Sequence, residues 1–198
     1  MTSLARVAQV WVFPVKSMSG CRVDAADVDA GGLVGDRSWA VVDDTGTTVT
    51  VAQEPRLRDV VARLEGGELR LDVPGSPPGL DATAAATALS TWLGRPLRLE
   101  HRPGAGYVDV APVHLVSTAS LSDASHAEEC DTCDVAAPRA NLVLELAGAG
   151  SERGWVGRTV RAGSADLTFV RLPEHCLGVY ADVASAGTLA QGDELTGS

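Results

Sequence analysis

Cys176, in RLPEHCLGVYADV, has the most direct chemistry to offer, being a thiol beside His175 and Glu174 that follows one expected strand and precedes another. At a polar strand end a thiolate is accessible as a soft ligand or nucleophile, although a free cysteine is most often a small buried hydrophobe. Cationic and hydroxyl clusters stand at other strand ends. Lys16-Ser17 follows an apolar stretch and precedes a turn ending at Gly20. An ammonium and a hydroxyl placed there can hold a phosphate through charge-assisted donors, and a solvated loop lysine is the plainer alternative. In GDRSW, residues 35–39, Arg37 follows Asp36, whose carboxylate can hold the guanidinium while it faces an anion. A structural ion pair beside a core Trp explains the same residues.

Arg139 and Asn141 precede the almost continuous apolar run LVLEL. One of them can face a cleft at the strand's beginning; otherwise Arg139 lies on the surface and Asn141 satisfies a turn. Gln53, Glu54 and Arg56 in TVAQEPRL form a polar loop that gains interest only beside the first two clusters. Cys130 and Cys133 make one CxxC, with His126 four residues before it. Structural zinc usually takes four ligands and no second pair exists, and a redox CxxC belongs in a βαβ setting that this chain lacks. Two loop thiols, a redox or sulfur-relay pair and a metal site all remain open.

The elements that must position these residues are short and punctuated by Gly and Pro. Strands are expected at 7–14, 21–28, 39–43, 60–64, 68–73, 97–101, 113–116, 141–146, 159–161, 167–171, 179–183 and 193–195, from their β-branched or alternating apolar content. DDTG and EGG are hairpin signals. One helix is expected after Asp81, ended by Gly94, and a short one over 117–127. RPGAGY, residues 102–107, is the best boundary between two halves. So many strands and so few helices predict a mainly β chain of barrel or sandwich type.

The net charge of −10 and pI near 4.7 exclude nonspecific nucleic-acid binding, because a phosphate backbone would be repelled. No apolar run approaches the roughly 18 residues that span a bilayer, and residues 11–15 read as a strand, not a signal peptide. The expectation is a cytoplasmic protein with thiols, no membrane segment and no nucleic-acid partner.

Taken together, seven segments in order resemble the MOSC family, the molybdenum-cofactor sulfurase C-terminal type of domain with its N-terminal β-barrel domain. They are FPVKSMSG, GLVGDRSWAVVD, TVAQEPRL, HLVSTASL, PRANLVLE, WVGRTVRAGSADLTFVR and GVYADVASAGTLAQGDEL, running from about residue 7 to residue 195. The resemblance implies an N-terminal β-barrel-like domain over 1–104 and a MOSC β-barrel over 105–198. It implies a molybdenum cofactor, with molybdopterin bound by Lys16, Ser17, Arg37, Ser117, Arg139 and Asn141 and the metal ligated by the catalytic Cys176. A soft thiolate suits molybdenum held by a pterin dithiolene.

The expected activity is reduction of N-hydroxylated or related small molecules. It needs a separate electron-donor protein, because neither a ferredoxin cysteine pattern nor a Rossmann glycine motif is present. The chain departs from the family after Cys176. Members often carry a long segment there and a second cysteine before it, whereas here Leu177 alone separates Cys176 from Gly178. That shortening keeps two alternatives in view: a sulfur carrier or sulfurtransferase working through a cysteine persulfide with a sulfur-donor protein, and a non-catalytic binding module.

Overall fold

The computed structural model describes residues 2–104, 106–124, 139–174 and 177–197. In chain order the strands are β1 (Thr2–Val12), β2 (Cys21–Val23), β3 (Ala25–Asp29), β4 (Gly32–Leu33), β5 (Trp39–Val42), β6 (Val61–Glu65), β7 (Glu68–Asp72) and β8 (Arg98–His101). They continue with β9 (Val113–Ser117), β10 (Leu142–Leu146), β11 (Thr159–Ala162), β12 (Ala165–Arg171), β13 (Val179–Ser185), β14 (Gly187–Ala190) and β15 (Glu194–Gly197). Two α-helices stand among the described residues, α1 (Ala82–Leu93) and α2 (Thr118–Ala124).

Contacts divide the chain into two compact units. One comprises Met1–Trp11, Arg22–Val34 and Asp109–Ser198, and the other Val12–Cys21 and Gly35–Val108. A division at residue 104 differs from these units in separating β1, β3 and β4 from the C-terminal strands they accompany.

The first unit is built on a closed barrel. Strands β10, β9, β13, β12, β11, β15 and β1 follow one another, and β1 pairs antiparallel with β10 to close the ring. Closure removes the unpaired sheet edges that an open sheet would expose. β1 has to serve two partners, with Ala5 opposite both Leu146 of β10 and Leu195 of β15. Its buried residues are Ala5 and Val7, then Val10 and Val12, so the inward parity changes from odd to even. The register shift between Val7 and Gln9 makes that change; one extra residue in a strand is what returns a slipped apolar set to the core face.

β10 reads as continuous apolar sequence because both faces are covered. Leu142 and Leu144 are fully buried, while Val143 packs with Val116, Ala140, Trp11, Leu121 and Leu177.

Two expectations need correction. The strand expected over 21–28 is two strands, because β2 joins the barrel sheet beside β1 whereas β3 pairs with β14 in a separate sheet. The DDTG hairpin shrinks to a single bridge between Val42 and Thr48, because β5 takes β8 as its partner. β9 and β10 run parallel within an otherwise antiparallel barrel, and parallel neighbours need a crossover connection, which α2 begins.

The second unit packs α1 against the β6–β7 hairpin, formed as the EGG turn predicts. Ala85, Leu89 and Leu93 of α1 join Val15, Met18, Val41, Leu57, Val60 and Leu71 in its core. Asp81 caps α1 by accepting the Ala84 N–H at 2.8 Å, and Gly94 ends it in the left-handed conformation.

A buried carboxylate fastens the end of β9. Glu152 has no exposed surface, and its Oε2 accepts the Ser120 hydroxyl at 3.0 Å and that of Ser151 at 3.4 Å. Ser117 caps α2 by accepting the Ser120 N–H at 3.0 Å. Burial pushes the Glu152 carboxyl up, but the Ser117 and Ser120 side chains outweigh it and leave it below the ordinary carboxylate value. A lowered folded-state value contributes stability above the ordinary pKa of 4.5 that is lost as pH falls through the folded value. The stability gap between wild type and Glu152→Gln, measured by urea unfolding, is therefore expected to narrow from pH 7 towards pH 3; an equal gap at both would show that the charge anchors nothing.

Gly178 opens β13 at φ +85°, and a Cβ there would lie 2.0 Å from the Leu115 carbonyl oxygen. Gly178→Ala is expected to cost more than about 2 kcal/mol in denaturant unfolding. Gly148→Ala, where a Cβ meets nothing within 4 Å, is expected to stay within about 0.5 kcal/mol of wild type.

Candidate functional site

In the second unit a parallel staple brings two of the candidate clusters together. Pro14 removes a donor and ends the run of β1. The Trp39 N–H then donates to the Pro14 carbonyl at 3.0 Å, and the Lys16 N–H to the Trp39 carbonyl at 2.8 Å. One step earlier the Arg37 N–H donates to the Phe13 carbonyl at 2.8 Å. Residues 13–16 thus lie alongside 37–39, with Val15 and Trp39 bridged.

Beyond Lys16 the chain turns sharply, with the Met18 N–H on the Val15 carbonyl at 3.2 Å. Ser17 takes φ +68° and Arg37 φ +48°, the two positive-φ residues other than glycine among the described residues. Left-handed backbone disfavours side chains that carry a Cβ, and such strain persists where surrounding structure over-determines it, often at functional sites. Both residues are sequence-derived candidates. The loop's far side is fixed as well, because the Ser19 hydroxyl donates to the Arg58 carbonyl at 2.7 Å and its N–H to that of Val60 at 3.0 Å.

The third cluster does lie beside the first, since Leu57 packs in one core with Val15 and Met18. Its polar side chains are engaged with one another. Gln53 accepts the Thr50 N–H at 2.8 Å, and Arg56 pairs with Glu54 at 2.8 Å and lies 5.5 Å from the Trp92 ring centroid. The hydrogen bond from Arg56 holds the Glu54 carboxyl below its ordinary value. This is the behaviour of a solvated loop.

In the barrel unit the remaining candidates occupy two levels. Asn141 is fully buried and braces backbone. Its Oδ1 accepts the His114 N–H at 3.1 Å, its own N–H donates to the His114 carbonyl at 2.7 Å, and its Nδ2 donates to the Trp11 carbonyl at 3.3 Å. Arg139, half-buried, leads into that position. Ser117 stands three residues further along β9, opposite Leu144 of β10, a rise of about 10 Å. It is fully buried, and its hydroxyl donates to Ser120 at 3.1 Å. The structure therefore groups Arg139 with Asn141, and Ser117 with Ser120 and Glu152.

Cys176 and His175 lie outside the described residues, as do Cys130, Cys133 and His126. The chain resumes at Leu177, whose carbonyl lies 2.7 Å from His114 Nε2. A carbonyl only accepts, so that ring nitrogen carries the proton. His114 is buried, with its ring centroid 4.8 Å from that of Tyr180. Sequence reasoning passed over His114 and Glu152, because a single polar residue in an apolar segment has no spacing to mark it.

Residues 4–94 match the MOSC N-terminal beta barrel domain. Mitochondrial amidoxime reducing component 2 of Rattus norvegicus is 38% identical over 82 residues, 39% of this chain and 24% of that protein. Mitochondrial amidoxime-reducing component 1 of Mus musculus is 28% identical over 226 residues, 89% of this chain and 66% of that protein. The chain spans less than two thirds of the length of these relatives. The mouse alignment is longer than all 198 residues of this chain, so within it the mouse protein carries residues that this chain lacks. Among solved structures, the YUAD protein from Bacillus subtilis aligns over 96% of this chain and 93% of its own at a TM-score of 0.48 and 12% identity. Residues 4–94 thus match a MOSC N-terminal beta barrel domain, and the chain as a whole is similar to amidoxime-reducing components.

Proposed function

We propose that this protein binds a molybdenum cofactor and reduces N-hydroxylated small molecules with electrons from a separate donor protein. The observation that carries the reading is the grouping of Lys16, Ser17 and Arg37 on two stapled loops, with Ser17 and Arg37 both in left-handed backbone. An ammonium, a hydroxyl and a guanidinium are a donor set for a dianionic phosphate, and a pterin cofactor carries one. The charge distribution favours the same unit. It holds nine of the 16 Lys and Arg but only ten of the 26 Asp and Glu, so most of the chain's acidity belongs to the other unit.

In this reading Lys16, Ser17 and Arg37 hold the phosphate. Arg139 contributes from just before β10, Asn141 serves by bracing the backbone beside it, and Ser117 serves by fixing the start of α2. Cys176 is the protein ligand to the metal. When bound, the group supplies a metal centre that exchanges electrons with substrate, and a thiolate suits it as a soft ligand. The substrate class is supported by the relatives' names, which describe amidoxime reduction; neither is named for sulfur transfer.

The test is metal and pterin analysis of protein made in a cofactor-producing host. Wild type is expected to carry molybdenum and pterin together. Cys176→Ser is expected to lose the metal, and Lys16→Ala and Arg37→Ala to lower pterin content by about tenfold. A folded wild-type protein free of both would overturn the reading, as would failure of the loaded protein to reduce an amidoxime when given a chemical reductant.

A further inference from the structure

A carboxylate beside an anion site works against it, because like charge repels the ligand. Asp36 nevertheless stands next to Arg37, 2% exposed, so its contribution there must come from what it holds. Its two oxygens are divided between two segments. Oδ1 accepts the Phe13 N–H at 2.7 Å, and Oδ2 receives Arg37 Nη1. Phe13 gives its carbonyl to the Arg37 N–H and sets its ring 5.3 Å from the guanidinium carbon. Phe13 is three residues before Lys16. One buried side chain therefore couples the loop that carries Lys16 and Ser17 to the guanidinium of Arg37.

The segment RPGAGY supports Arg37 from its other side. The Tyr107 N–H donates to the Arg37 carbonyl at 2.7 Å, and the Arg102 N–H to that of Ser38 at 2.8 Å. Gly106 is needed for this approach, because a Cβ there would lie 2.3 Å from the Arg37 carbonyl oxygen. Arg37 is thus held at its N–H, its carbonyl and its guanidinium. Its left-handed backbone is over-determined, as expected where a side chain has to point in one direction.

We propose that Asp36 is the positioning residue of the anion site: its buried carboxylate aims Arg37 and keeps the guanidinium in register with Lys16 and Ser17. This rests on the anion-binding reading of those three residues. It adds that binding depends on a negative charge within the protein, against the simple electrostatic expectation. A guanidinium fixed in advance loses little freedom when it binds, and for that reason preorganised donors bind more tightly than mobile ones.

The two roles of Asp36 separate in one substitution. Asn keeps an oxygen for the Phe13 N–H but turns an NH2 group towards Arg37, where donor would meet donor. The probe is inorganic phosphate, titrated by NMR or calorimetry into the full chain without cofactor. Asp36→Asn is expected to weaken phosphate binding by about tenfold, as is Arg37→Ala. The double variant is expected to be no weaker than Arg37→Ala alone, because the two act as one unit.

Asp36→Glu provides a second variant if Asn disturbs folding. It keeps the charge but displaces the guanidinium, and is also expected to weaken binding. Phosphate binding that is unchanged or tighter in Asp36→Asn or Asp36→Glu, while Arg37→Ala weakens it, would overturn the positioning role and leave the anion site standing. Phosphate binding unchanged in Arg37→Ala would overturn both.

Discussion

The architecture turns on the double pairing of β1, which closes the barrel by hydrogen bonding to β10 on one edge and to β15 on the other. A strand caught between two fixed partners has no freedom in register, since a slip of one residue would turn its apolar face to solvent. The register shift between Val7 and Gln9 is how one segment satisfies both partners and still sends Val10 and Val12 inward. Val12 then delivers the chain directly to Phe13 and the Lys16-Ser17 loop.

Each candidate group in the structure is held through backbone. The Lys16 N–H and the Arg37 N–H both reach carbonyls of the neighbouring segment, and the Asn141 side chain meets the backbone of His114 and Trp11. Backbone held in this way fixes the point from which each side chain starts. Asn141 and Ser117 are in addition so enclosed that their polar groups serve the fold itself.

Much of this was legible in the sequence. Helix α1 was readable from Asp81, a run of helix formers and Gly94, because caps are local chemistry. Types of site residue were readable too, as Lys16-Ser17 and GDRSW stand at strand ends. Their proximity was not, since it depends on a bridge between Val15 and Trp39 that no local pattern encodes. The two-residue β4 and the Gly-Thr-rich β14 carry too little apolar alternation to announce themselves. The Asp24 break escaped notice because it marks a change of partner, from β1 to β14, in a continuous β-prone stretch. RPGAGY reads as a joint from its Pro and Gly; only the structure shows its glycine admitting the Arg37 carbonyl.

The ladder that joins Thr2 to Gly197 and Arg6 to Glu194 spans almost the whole described chain. During synthesis β15 emerges long after its partner β1, so the ring cannot close until nearly all of the described residues are available. Contacts so distant in sequence slow folding, because the loop entropy has to be lost before the pairing rewards it. In the interval the edge of β1 that faces β15 lacks its partner, and unpaired strand edges are where aggregation begins. How long that edge waits is a kinetic property, one that the stability of the finished barrel does not reveal.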